Sequence, residues 1–158
     1  MNGKEAEKFY RPTEFFVIGE DKVLEDAYYE ARTLKGQINH YLKEKNLKIN
    51  TLAVRIDMEA KQISRYSSGE RTPDRMTVIK LGLGMLLDLE NINRLLSSAG
   101  FAGLSYTRKE DTIIMERYDE IIKMLEKNDN GINYEFLMDL DAALLEAGCA
   151  TLFMKEEK

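Results

Sequence analysis

Hydrophobic residues recur at intervals of three and four positions along most of this chain, which is the spacing of one face of an α-helix. The pattern predicts a first helix over residues 21–34, an interruption at Gly36 and a second helix that ends near Lys45. Further helices are predicted over residues 50–56, 60–68, 73–85, 89–98, 108–127 and 134–147. The periodicity therefore describes a chain of short helices with brief connections.

Residues that close or open helices separate these stretches. Residues suited to the left-handed backbone conformation follow four of the predicted helices, namely Asn46, Asp57, Gly69 and Gly100. Thr72 is placed to cap the following helix, with Pro73 at its first position. Asp88 is placed to cap the helix over residues 89–98. Local signals thus agree with the hydrophobic pattern about where helices begin and end.

The predicted elements fall into three parts. Residues 1–35 form an N-terminal extension with one helix, residues 36–100 hold five helices, and residues 101–158 form a C-terminal helical region. The glycine and polar residues between Gly100 and Thr107 are the best candidate boundary. We therefore expect an all-α protein with an extra N-terminal helix and a C-terminal helical pair.

Composition supports a soluble helical protein and sets limits on its class. Hydrophobic residues make up 44% of the chain, charged residues 32%, and there are 2 prolines. No apolar run approaches the roughly 18 residues that span a membrane. The single cysteine, Cys149, cannot form an internal disulfide, so nothing favours an oxidising compartment. We expect a cytoplasmic protein.

The net charge of −5 is distributed unevenly. Residues 35–75 hold nine basic and five acidic side chains, a net charge of +4. Residues 109–158 hold six basic and thirteen acidic side chains, a net charge of −7. A protein can present one basic surface to a phosphate backbone while the rest of it stays acidic. The charge therefore permits a nucleic-acid partner and places it near residues 35–75.

The basic segment contains two short helices joined by a brief turn, over residues 50–56 and 60–68. Such helices cross steeply and touch where side chains are small, a place that Ala53 fills. Met58 and Ile63 are spaced to pack the second helix onto the first. The remaining positions of the second helix then project outward: Ala60, Lys61, Gln62, Ser64 and Arg65.

This segment resembles the Cro- and lambda-repressor-like (XRE) helix-turn-helix family of DNA-binding regulators. The resemblance covers residues 38–73, about 36 positions, and the matching residues are Leu47, Leu52, Ala53, Ile56, Ile63, Ser64, Arg65, Gly69, Thr72 and Pro73. The resemblance implies that residues 60–68 are the recognition helix, whose first half enters the major groove of double-stranded DNA. It implies base contacts from Ala60, Lys61, Gln62, Ser64 and Arg65, and phosphate contacts from Lys48, Asn50 and Arg71.

Two departures from the family pattern keep a second function open. Ile49 stands where the family often has a DNA-contacting Gln, and Glu59 would repel a nearby phosphate. An internal ion pair that the family often has is also missing, because Leu42 and Ser67 replace both partners together. The alternative is a protein–protein interaction module on a scaffold that has lost DNA binding, with the acidic C-terminal helices holding the partner.

The remaining motifs give no sign of catalysis, cofactor or metal. Gly82 and Gly84 lack the preceding strand and following lysine of a phosphate-binding loop, so helix packing or a kink in the helix is preferred. The loop at residues 128–136 places its glutamate too close to the glycine to close a calcium site. We therefore expect a non-enzymatic transcriptional regulator, a repressor, that binds double-stranded DNA. We expect it to bind as a homodimer, with residues 108–147 forming the contact between the two copies.

Overall fold

The computed structural model describes residues 32–127 and 135–153, and within these ranges every regular element is an α-helix. The helices are α1 (Leu34–Glu44), α2 (Ile49–Arg55), α3 (Ala60–Ser68), α4 (Arg75–Gly84), α5 (Leu89–Ser98), α6 (Lys109–Lys127) and α7 (Glu135–Glu146). The predicted all-α class is therefore confirmed. The predicted helix over residues 21–34 lies, up to residue 31, outside the described residues.

Left-handed residues close the helices at the predicted positions. Asn46 and Asp57 both have φ 50°, and Gly69 has φ 81°. After Asp57, the backbone N–H of Met58 donates to the carbonyl of Ala53 over 3.0 Å, which satisfies an orphan carbonyl at the end of α2. The next helix begins three residues after Asn46, three after Asp57 and six after Gly69, so short helices follow one another closely.

Two helix starts differ from the prediction by more than one residue. The N-cap of α1 is Thr33, whose hydroxyl accepts from the N–H of Gly36 over 3.0 Å, so Gly36 lies inside the helix instead of interrupting it. The N-cap of α4 is Asp74, whose carboxylate accepts from the N–H of Thr77 over 2.8 Å. A carboxylate suits the positive end of a helix better than a neutral hydroxyl, which explains why Asp74 takes the place predicted for Thr72.

The α4 helix lies at the centre of the hydrophobic core. Six of its residues are buried, including both of its glycines. A Cβ added at Gly84 would collide with Ile56 and would lie 2.7 Å from Cδ1 of Leu52, so α2 and α4 are in close contact here. A Cβ at Gly82 would lie 2.8 Å from Cγ1 of Ile92 on α5. These glycines allow close helix packing, as the sequence indicated.

The predicted C-terminal helical pair is present as α6 and α7, and it packs on the same core. Buried Ile114 and Tyr118 of α6 join Leu140 and Leu144 of α7 in one cluster with the core of the first five helices. The carboxylate of Asp141 is fully buried and accepts from the N–H groups of residues 152 and 153, which ties the chain after α7 to that helix. Of the helices in the described ranges, none has both the length and the apolar character needed to cross a bilayer.

Candidate nucleic-acid interface

The α3 helix is held on the protein by one deeply buried side chain and by contacts at its flanks. Ile63 is the one buried residue of α3 and is 0% exposed. Met58, Ala60 and Tyr66 are partly buried and pack against the core on either side of it. The four residues from Ile56 to Glu59 join α2 to α3, so the start of α3 has little freedom to move relative to α2.

A side chain from α1 fixes the other end of α3. The amide of Asn39 donates to the carbonyl of Ser67 over 2.8 Å and to the carbonyl of Lys35 over 2.9 Å. Leu42 of α1 and Ser67 of α3 stand where the XRE family often has the two partners of an ion pair. The sequence therefore did not indicate which contact joins these two helices. Asn39 supplies that connection with hydrogen bonds to the backbone.

The predicted base-contacting residues differ in how accessible they are. Lys61 and Ser64 are exposed, whereas Gln62 and Arg65 are partly exposed. These four residues lie around the helix on the sides away from Ile63, because one residue of an α-helix advances about 100° around its axis. Ala60 is partly buried and packs on the core, so its methyl group offers a smaller outward surface than the sequence suggested.

The predicted phosphate-contacting residues lie in two places. Lys48 is the N-cap of α2 and is exposed, as is Asn50 in the first turn of that helix. Arg71 is exposed in the connection between α3 and α4. The structure brings Arg71 to α3, because its backbone N–H donates to the carbonyl of Arg65 over 3.2 Å. Its guanidinium also donates to Oε1 of Gln62 over 3.4 Å. A predicted phosphate contact and a predicted base contact are therefore joined directly.

Lys35 adds a basic residue that the sequence reading did not single out. Its Cδ lies 3.4 Å from where a Cβ of Gly69 would stand, so this exposed lysine runs beside the end of α3. Lys35 and Asn39 are four residues apart on α1 and therefore share a helix face. That polar pair was the available sequence signal for a face of α1 directed towards α3.

The two departures from the family pattern lie at the starts of α2 and α3. Ile49 is partly buried and packs against the core, so this position offers no hydrogen-bond donor to DNA. Glu59 is the exposed N-cap of α3, without a capping hydrogen bond from its side chain. Its negative charge stabilises the positive end of the helix and opposes a phosphate at the same place.

Other chemistry is sparse in the part of the chain that the structure describes. No three His, Cys, Asp or Glu residues there are arranged to hold a metal ion. His40 lies 2.9 Å from Glu44 on the exposed side of α1.

In comparisons with protein-family models, curated proteins and solved structures, nothing matches this chain. Its function is therefore inferred from its own residues and their geometry.

Proposed function

We propose that this protein is a transcriptional regulator, a repressor, that binds double-stranded DNA through the outward face of α3. The observation that carries the proposal is that Ile63 anchors α3 to the core while Lys61 and Arg65 lie on the far side. A short helix held in this way can enter the major groove with its basic side chains towards the bases. The resemblance of residues 38–73 to XRE regulators supports the same orientation.

The residue types on this face suit base recognition. Lys61 and Arg65 can donate to O6 and N7 of guanine, and the amide of Gln62 can pair with adenine. Lys48, Asn50 and Arg71 are placed at the edges of the helix pair, where phosphate contacts set the register without reading sequence. The excess of nine basic over five acidic residues in 35–75 supplies the long-range attraction.

Dimerisation is part of this proposal. One short helix contacts only a few base pairs, so two copies with recognition helices about 34 Å apart would supply the needed affinity. The outer surfaces of α6 and α7 are the proposed contact, and exposed Met138 and Leu145 on α7 supply apolar area there. Sedimentation of the full chain with an operator duplex should give two protein chains per duplex. One chain per duplex at saturation would contradict the dimer.

The proposed DNA binding is tested by removing single charges. Duplexes are first selected from a random library, and affinity is then measured at two salt concentrations. Lys61→Ala and Arg65→Ala should each weaken binding by about 1–3 kcal/mol and relax the base preference. Lys45→Ala is the matched control, because it removes one exposed lysine whose Nζ donates to the carbonyl of Leu86, outside α3 and the proposed dimer surface. It should leave the base preference unchanged.

Two results would contradict the proposal. Equal affinity of the wild-type protein and both α3 variants would exclude α3 as the reading element. Absence of binding even at low salt would favour the alternative, a protein–protein interaction module. That alternative is favoured by the positions of Ile49 and Glu59. Pull-down with a variant in which the exposed acidic residues of α6 and α7 are replaced would then test whether these helices hold the partner.

A further inference from the structure

A buried ion pair joins the start of α4 to the start of α6. The guanidinium of Arg75 contacts both carboxylate oxygens of Asp111, with Nη2 to Oδ2 at 2.7 Å and Nη1 to Oδ1 at 3.0 Å. Asp111 is 0% exposed and the side chain of Arg75 is 16% exposed. This two-point geometry fixes the orientation of both groups as well as their separation.

The same pair holds the backbone of the connection before α6. Arg75 donates to the carbonyl of Ala102 over 3.1 Å and to that of Gly103 over 3.1 Å. Asp111 accepts from the N–H of Ser105 over 3.1 Å. Asn93 of α5 accepts from the N–H of the intervening Leu104 over 2.8 Å. The connection is thus held by side chains from three helices, and Arg75 has a fixed position relative to all of them.

Arg75 is also the last residue of a five-residue segment, 71–75, that begins with Arg71. At one end of this stretch, the N–H of Arg71 is bonded to the carbonyl of Arg65. Pro73 is buried, Asp74 caps α4, and Arg75 is held by Asp111 at the other end. Five consecutive residues, 71–75, are therefore fixed at both ends, and the exposed guanidinium of Arg71 is kept against Gln62.

We propose that Arg75 and Asp111 are positioning residues that keep Arg71 in place for its phosphate contact. The inference rests on the proposed DNA binding. It adds that the C-terminal helices determine how well Arg71, which is bonded to Gln62, contacts the phosphate backbone of DNA. Neither Arg75 nor Asp111 touches DNA in this arrangement. Their effect passes through the four residues that precede Arg75.

The test is a double-mutant cycle read by the salt dependence of DNA binding. Each phosphate contact adds about 0.9 to the slope of log affinity against log salt concentration. Because the proposed complex holds two chains, Arg71→Ala removes two phosphate contacts and should lower the slope by about 1.8. Asp111→Asn should lower it similarly, and the double variant should lower it no further. Glu90→Gln, which removes an exposed carboxylate from α5, outside α3 and outside the proposed dimer surface, is the control and should leave the slope unchanged.

A second variant guards against loss of the fold in Asp111→Asn. Arg75→Met combined with Asp111→Leu replaces the pair by apolar side chains of similar volume, which proteins often accept without loss of stability. This variant loses the bonds to the connection in both chains and should also lower the slope by about 1.8. If Arg71→Ala lowers the slope equally with and without the ion pair, Arg71 is held independently and the inference is wrong.

Amide hydrogen exchange decides the same point without DNA, so failure of the proposed function would not obscure it. The N–H of Arg71 should exchange about ten-fold faster in the variant with Arg75→Met and Asp111→Leu than in the wild-type protein, because its stretch has lost one anchor while the fold keeps its stability. The N–H groups within α3 should keep their rates. Equal changes at Arg71 and throughout α3, or no change at either, would overturn the positioning role.

Discussion

Replacement of Asp111 by Ala is expected to lower the free energy of unfolding by about 3–5 kcal/mol. The change leaves the guanidinium of Arg75 in a site that is only 16% exposed, without the carboxylate that neutralises it. It also removes the acceptor for the N–H of Ser105. Denaturant unfolding followed by circular dichroism measures the loss as a shift of the midpoint at constant slope.

A carboxylate on the same helix provides the control for this experiment. Asp119 lies 3.0 Å from Lys123, four residues along α6, and both side chains are at least half exposed. Such surface pairs contribute about 0–1 kcal/mol, so Asp119→Ala should change stability by no more than that. Comparable losses in Asp111→Ala and Asp119→Ala would contradict the structural importance assigned to the buried pair.

Ile63→Ala is expected to cost about 2–5 kcal/mol of stability, the range for truncating a fully buried aliphatic side chain. Ile63 is the one buried residue of α3, so the cavity would form directly under the proposed recognition helix. Ile63→Val, which removes one methylene group, should cost about 0.5–1.5 kcal/mol. Both values are obtained from chemical denaturation of the full chain.

Val54 offers a matched position on the neighbouring helix. It is also β-branched, but it is 84% exposed, so Val54→Ala should change stability by less than about 0.5 kcal/mol. If Ile63→Ala were as mild as Val54→Ala, α3 would not be anchored through its buried face. The outward orientation of Lys61 and Arg65 would then lose its physical basis.

Much of the fold followed from local sequence signals. The bounds of α3 and α5 were predicted correctly, because each helix has a residue that ends it in the left-handed conformation, Gly69 and Gly100. Asp57 closes α2 as expected, and Asp88 caps α5. In these cases the hydrophobic pattern and the capping chemistry indicate the same boundary, so the two sources of information reinforce each other.

The misplaced helix starts have a common cause. Thr33 and Asp74 each lie close to other residues that could begin or end a helix, such as Gly36 and Thr72. Local propensity is then nearly balanced, and packing of the whole helix decides the boundary. Gly36 remains helical because the hydroxyl of Thr33 satisfies its N–H.

The parts of the candidate interface that the sequence did not reveal depend on distant contacts. Arg75 and Asp111 are separated by 36 positions, and no periodic pattern connects them. The bond between Asn39 and Ser67 spans 28 positions. A reading of helix faces can identify exposed charges, but it cannot tell which of them are bound to another helix. Arg75 illustrates this, since it lies in the basic segment and is nevertheless engaged internally.

NMR shift mapping with a library-selected duplex tests most directly whether the outward face of α3 contacts DNA. The largest shift changes are expected at residues 60–65 and at Arg71, with smaller changes at Lys48 and Asn50. The outer surfaces of α6 and α7 should show no contact with DNA. Changes centred on another surface, with residues 60–65 unaffected at saturation, would contradict the account.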